Sequence, residues 1–331
     1  MRTNRARAIL VSFGGGLLML GVSLTHAAYP DKPIRLIIPF AAGASADAYA
    51  RIAATKLTER MGQPVLVEAR PGANGIIATE FVAKAAPDGY TLLLVNSSHS
   101  INQAVYRKLP FDSERDFVPI ALVAVPVSMM LVAHPSLAAN TGKELIDLAR
   151  QKPDQIAFGS AGIGNVLHLA GAVFNVMADV RLLHVPYKGA APALNDLLAG
   201  QVQLMWNASG LVLPHVKAGK LKPIAAAGLK RSADFPDVPT LGESVLPGYN
   251  LQSWFGILAP VATPADIVRR LGTETQQGMA QADVRERLAQ LGADPPAMTP
   301  EEFAAFVKTD AIETIKMVKK IGLAMETPPL R

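Results

Sequence analysis

The sequence predicts an α/β protein of two domains joined by two crossings, and three observations point there. A chain of 331 residues is longer than one hydrophobic core usually serves. Short apolar, strand-like runs alternate with helix-like runs in two separate blocks, the pattern of α/β units with mainly parallel sheets. An extended apolar stretch follows each block, at residues 120–133 and again at 251–258, and each is too continuous for an ordinary linker. Two crossings of this kind would act as a hinge.

The N-terminus comes first in the chain. Arg2, Arg5 and Arg7 precede an uncharged apolar run over residues 9–24, and Thr25 and Ala27 place small residues at the −3 and −1 positions. That is the pattern of a secretory signal cleaved after Ala27, and it predicts a protein exported to the periplasm. Removing the three arginines takes the formal net charge from +5 to +2. The remaining lysines and arginines are scattered among acids, so no basic groove for nucleic acid is expected. With 50% hydrophobic and 18% charged residues the chain is not disordered. It contains no cysteine, which excludes disulfide scaffolds, iron–sulfur clusters and thiol nucleophiles.

In the first block, residues 35–40 form an apolar strand and residues 41–44 a small-residue loop. Residues 45–61 then form a helix whose buried stripe is Tyr49, Ile52, Ala53, Leu57 and Met61, stopped by Gly62. Residues 65–68 and 91–95 read as strands, 76–86 as a helix and 87–89 as a turn. The second block repeats the plan: strand 156–158, loop 159–164, helix from Asn165, strand 183–185, helix 190–198 and strand 202–206. Thr263 with Pro264 and Thr299 with Pro300 each open a C-terminal helix, Thr as cap and Pro at the first position. The expected division is residues 28–124 with 254–331 as domain 1 and 125–253 as domain 2.

Two loops carry the strongest local hint of binding. Phe40, Ala41, Ala42, Gly43, Ala44 and Ser45, leading to Asp47, and the run from Phe158 through Ser160, Gly162 and Gly164 to Asn165 both join a strand's carboxyl end to a helix N-terminus. Small residues let backbone N–H groups approach a ligand, and the helix end favours an anion. Either loop alone could equally be a tight turn with Ser45 or Asn165 as helix cap. Ser98 and His99 at a strand end, and His168 just inside the second loop's helix, are candidate donors, though a lone histidine is more often structural. Tyr187, Lys188, Gly189 and Ala190 close a strand and open a helix, and Asn207 ends another strand; these would converge on one cleft if the second sheet is parallel. No arginine stands in these loops, so a ligand carboxylate would rely on amides, hydroxyls and water. Dinucleotide, P-loop, nucleophile-elbow and HExxH signatures are absent, and two histidines without an acid pattern make no metal site. No cofactor is expected.

With those residues in view, the chain resembles the Bug-type extracytoplasmic receptors of tripartite tricarboxylate transporters. The resemblance runs through YPDKPI at 29–34, the loop from Pro39 to Asp47, RPGANG at 70–75, APDGYTL at 86–92, Gly159 and Ser160 through His168 and Leu169, VPYKG at 185–189 and PDVPT at 236–240. It implies a non-enzymatic, two-domain periplasmic binding protein of the type II (Venus flytrap) kind. Such a receptor closes on a small organic carboxylate and delivers it, as a monomer, to membrane permease subunits. Gly43 and Ser45 would grip the ligand from one side and Ser160, Gly162, Asn165 and His168 from the other. Ala44 stands where the family commonly has a second glycine, Ala46 replaces a hydroxyl residue, and Asn207 replaces a frequent aspartate. These departures suggest a ligand more apolar, or less ammonium-bearing, than an amino acid. A ligand sensor feeding a signalling partner, and a hydrolase using Ser160 and His168, are the alternative functions.

Overall fold

The computed structural model describes residues 29–41, 43, 45–126, 129–251, 253–296 and 298–323. The expected signal peptide and its cleavage after Ala27 lie outside the described residues, as do Ala42 and Ala44. Among the described residues no helix is long and apolar enough to cross a membrane.

The first block gives β1 (Ile34–Ile38), α1 (Ser45–Met61), β2 (Val65–Ala69), a 3₁₀ turn (Ala73–Gly75), α2 (Ile76–Ala83), β3 (Thr91–Asn96) and α3 (Ser98–Val105). Then come β4 (Phe117–Pro126), β5 (Met129–Ala133), α4 (Gly142–Gln151), β6 (Ala157–Ser160), α5 (Val166–Ala178), β7 (Leu183–Pro186) and α6 (Ala190–Leu198). The second lobe ends with β8 (Leu204–Ala208), α7 (Ser209–Lys217), β9 (Lys222–Ala226) and α8 (Leu241–Ser244). The chain finishes with β10 (Phe255–Pro260), α9 (Ala265–Met279), α10 (Ala282–Gln290), β11 (Ala293–Asp294) and α11 (Pro300–Lys320).

Two sheets form, in the orders β11-β4-β10-β3-β1-β2 and β7-β6-β8-β5-β9. The stretch at 120–133 is two strands in different sheets: β4 belongs to the first and β5 to the second. The chain returns after Leu251, whose N–H donates to the Ala227 carbonyl, and joins the first sheet again as β10. The sheets are mixed, whereas mainly parallel ones were expected. β10 runs antiparallel between β3 and β4, and β5 antiparallel between β8 and β9, because the strands that carry the crossings enter from the opposite lobe. The parallel sets β2-β1-β3 and β7-β6-β8 remain, and they put the carboxyl ends of β1, β3 and β6 at the edges that bear the candidate loops.

Packing follows periodicity where periodicity was clear. The stripe predicted on α1 is buried from Tyr49 to Met61, against Leu271 and Met279 of α9. The other face of the first sheet is covered by α3 and α11, and its core runs without a break past Trp254 and Leu251 into the second lobe, where Phe158, Leu204 and Trp206 are enclosed. Burying such side chains contributes about 1.5–3 kcal/mol each, so the two lobes share a hydrophobic seam at the hinge. Thr299 forms a complete capping box with Glu302, and Pro300 starts α11, as its sequence predicts. At α9 the expectation needs correction: Pro264 is the cap position and Thr263 donates to the Pro260 carbonyl at 2.7 Å, because Thr263 is drawn into the turn that ends β10.

Candidate functional site in the interlobe cleft

The cleft is built where β1, β3 and β6 hand over to their helices. On the first lobe, Asn74 in the 3₁₀ turn adopts a left-handed conformation (φ 51°, ψ 36°) that aims its amide at α3. Its Nδ2 donates to Asn102 Oδ1 at 2.7 Å, and Asn102 Nδ2 returns a bond to the Asn74 carbonyl at 3.0 Å. Ser98 opens α3 with its N–H on Asn96 Oδ1. On the second lobe, Asn165 caps α5 by accepting from Leu167 N at 2.9 Å, as its sequence position predicts.

Asn165 also spans the gap. Its Nδ2 donates to Ser98 Oγ at 3.2 Å and to Asn74 Oδ1 at 3.4 Å, and Tyr106 OH donates to the Ile163 carbonyl at 3.2 Å. The lobes are therefore shut on each other. At the floor, between Phe40, Asn74, Asn96, Ser98 and Asn102, a cavity of about 10 Å³ remains, room for about one water. No charged side chain lines it among the described residues.

The second loop is held by its own side chains. Ser160, fully buried, accepts from Gly162 N and donates to the Gly162 carbonyl, both at 3.2 Å. Its Oγ lies 2.6 Å from His184 Nε2. His184 is sandwiched: its ring stacks on Phe158 at 5.0 Å and on His168 at 3.8 Å with 12° between the latter planes. His168 Nδ1 accepts from Gly164 N at 3.2 Å. Burial lowers the His168 pKa to about 4, and burial followed by repulsion from His168 lowers that of His184 to about 3. Both rings are neutral near pH 7, and His168, whose Nδ1 accepts a hydrogen bond, must be.

Gly164 is strongly favoured here. Its φ is +75°, and an added Cβ would sit 3.3 Å from Asn102 Oδ1 and Asn74 Nδ2, in the seam between lobes. Gly164→Ala is expected to cost about 1 kcal/mol of stability through backbone strain alone. It should also weaken ligand binding, because the loop can no longer reach Asn102. Thermal melting and a ligand titration of the same variant check both effects.

Several predicted residues take other duties. Asp47, nearly buried, accepts from Gly43 N at 3.1 Å and pairs with Arg51 at 3.0 Å. Burial raises the Asp47 pKa, but the bonds from Arg51 and Gly43 outweigh it and leave a carboxylate that folds the β1–α1 loop. The Gly43 N–H is thus already engaged. Phe40 packs edge-on to Phe255 at the rim. Ser45 begins α1, and Gly189 caps α6 just before Ala190.

His99 is buried and its ring is held by core groups, although the residue also borders the cavity at the cleft floor. Its Nε2–H donates to the Ser113 carbonyl at 3.1 Å, its ring stacks on Phe111 and meets Phe117 edge-on, and burial lowers its pKa to about 4. Tyr187 gives its hydroxyl to Asp196 Oδ2 at 2.8 Å, and burial together with that carboxylate pushes its pKa up to about 12. Asn207, buried, accepts from Ala208 N and donates weakly to Met205 Sδ. Asn74, Asn102 and Tyr106 were not singled out in the sequence. The only sequence signal for Asn74 is its place in the RPGANG segment, and nothing local marks Asn102 or Tyr106, which reach the site through α3 and its last residue's neighbour. His184 sits on β7, and nothing local in the sequence marks it as a partner of Ser160.

Residues 49–323 match the family described as the tripartite tricarboxylate transporter family receptor. The chain belongs to that family. Its solved relatives extend the likeness over nearly the whole fold. The periplasmic binding protein BugD is 37% identical, with 89% of this chain and 99% of that one covered at a TM-score of 0.83. A Rhodopseudomonas palustris protein, Rpa4515, solved with adipate, is 33% identical, with 89% and 99% covered at a TM-score of 0.84. MatC of the same organism, solved with bound malate, is 32% identical, with 88% and 100% covered at a TM-score of 0.82. This family receptor is accordingly a two-domain binding protein, a solute receptor and not an enzyme. The hydrolase alternative fails on its own geometry as well, since the Ser160 hydroxyl is enclosed and its histidine neighbour is His184, not His168.

Proposed function

We propose that this receptor, in the periplasm after cleavage at Ala27 and as a monomer, closes its cleft on a small organic dicarboxylate and presents it to membrane permease subunits. The observation that carries the reading is the uncharged amide and hydroxyl constellation of Asn74, Ser98, Asn102 and Asn165 at the meeting helix N-termini of α3 and α5. Such a site offers donors and the positive ends of two helices without a counter-ion of either sign, which suits an anion and gives an ammonium group nothing to pair with. Asn207 supports the same preference, because an amide stands where an aspartate could have met an amino group. The division at residues 28–124 with 254–331 against 125–253 is part of this proposal, and so are ligand-facing roles for Ser45, Ser98, Gly162, Gly164, Asn165 and His168, with Ser160 holding the Gly162 loop in place. Closure then shifts an open–closed equilibrium that the permease reads.

Calorimetric titration of the purified mature protein against malate, succinate, adipate, citrate, glutamate and aspartate tests the proposal. Binding of at least one dicarboxylate is expected, together with no heat from either amino acid. Tighter binding of glutamate or aspartate, or silence across the acids from folded protein, would overturn it.

A further inference from the structure

A second cavity lies apart from the cleft. It lies on the other side of α3, measures about 260 Å³, and is formed where the second crossing meets α3, α5 and α11. Helical spacing separates the two: Ser98 and Asn102 face the cleft, whereas Ser97 and Ile101, one position earlier in each case, face this cavity. Its inner wall is Ile101, Leu122 and Trp254, all 2% exposed. Its mouth is at the exposed Asn250 and the half-exposed Phe306 and Met317, so a path from solvent exists.

We infer that this cavity is a second ligand site, taking an uncharged molecule with a single apolar ring and one hydrogen-bonding group. Size permits it, since an apolar cavity of about 150 Å³ is enough to admit benzene. Wall chemistry selects it. Aromatic and aliphatic side chains form most of the lining; among the described residues no charged group lines it, and the polar groups are the Thr314 hydroxyl, the Asn250 amide, the Trp254 indole and the pair Ser97 and Ser253, whose Oγ atoms lie 3.2 Å apart. A ring hydroxyl could join that pair as donor or acceptor, whereas a carboxylate would be desolvated there with no cation to meet it.

Position ties the site to closure. Val166 and Leu169 come from the first turns of α5, the helix whose cap Asn165 bridges the cleft. Ile101 and Phe306 come from the first lobe, and Leu251, Ser253 and Trp254 lie on the crossing itself. A molecule touching both lobes and the hinge loses or gains contacts when the lobes rotate, so it must shift the open–closed equilibrium, and the cleft ligand must shift its affinity by the same factor.

Phenol is the probe. Titrated into the purified mature protein, it is expected to bind saturably at one site with a Kd near or below ~1 mM. Ile101→Phe, which fills the cavity, is expected to abolish that binding, and Thr314→Ile, a smaller change, to weaken it at least about tenfold; each variant counts if its melting is cooperative like the parent's. Asn165→Ala, across α3 in the cleft, is expected to keep a measurable phenol site with a shifted Kd. Absence of saturable binding, unchanged binding in both filling variants, or loss of phenol binding in Asn165→Ala but not in the filling variants would overturn the inference. Because phenol is read directly, the result does not depend on which acid the cleft takes.

Discussion

Replacing Asn165 with alanine is expected to lower affinity for the cleft ligand at least about tenfold and to reduce thermal stability in the same protein. One side chain makes three bonds: it caps α5 through Leu167 N and donates to Ser98 Oγ and Asn74 Oδ1 on the other lobe. The cap is worth about 1 kcal/mol to the folded state whatever the lobes do. The shut cleft leaves room for about one water, so a dicarboxylate must take over the two cross-lobe bonds of Asn165 Nδ2 as it enters, and losing that donor to an anion, worth about 1.5–3 kcal/mol, changes affinity roughly tenfold or more. Asn165→Asp separates the two parts. Aspartate retains the capping oxygen but donates nothing across the gap and sets a negative charge beside an anion. Its melting temperature should stay near the parent's while binding is lost more completely than in Asn165→Ala. Equal binding in parent and Asn165→Asp would show that the ligand does not lie near this residue.

Acidification is expected to destabilise the folded receptor well before the carboxylates titrate. Unfolded histidine titrates near 6.5, while His99 and His168 are held at about 4 and His184 at about 3 in the fold. Between those values the unfolded chain binds protons that the folded chain refuses, so stability is intact above about pH 6.5 and declines as pH falls toward 4. A separation of one pH unit is worth about 1.4 kcal/mol. His99, enclosed between Phe111 and Phe117, should by itself remove on the order of 3 kcal/mol by pH 4.

His168 adds a binding effect to the stability effect. A proton on Nδ1 would delete the acceptor for Gly164 N and place a charge 3.8 Å from the His184 ring, loosening the loop that reaches Asn102. Melting followed from about pH 7 to about pH 4.5 should fall steeply for the parent and less steeply for His168→Gln, whose amide oxygen can still accept from Gly164. A melting temperature that stays level over that interval would contradict the account.

Much of this was legible before any coordinates. Helix α1 and its buried stripe are written in a 3.6-residue period, and the box at Thr299 in residues only three apart. Asn165 as a cap needed only its place between a glycine loop and an apolar helix. Loop-to-helix junctions at Ser45 and Asn165 and an uncharged pair of candidate loops were local facts as well. Sequence by itself thus determined the export signal as an expectation, the α/β class, the family likeness and which short segments had the chemistry of an anion site.

Tertiary structure decided what those segments do. Local pattern cannot tell that the Gly43 N–H is already held by Asp47, that His99 faces Phe111 and Phe117, or that the partner of Ser160 is a histidine 24 residues along the chain on a neighbouring parallel strand. It cannot pair Asn165 with Asn74, 91 residues distant, or hollow a cavity behind α3 from four separate elements. The physical reason is range. Helix periods, caps and turns are set by bonds between residues a few positions apart, whereas which donor remains free for a ligand depends on every group that chain folding brings within 3.5 Å of it, and that is fixed only when both sheets are assembled and the hinge has brought one lobe against the other.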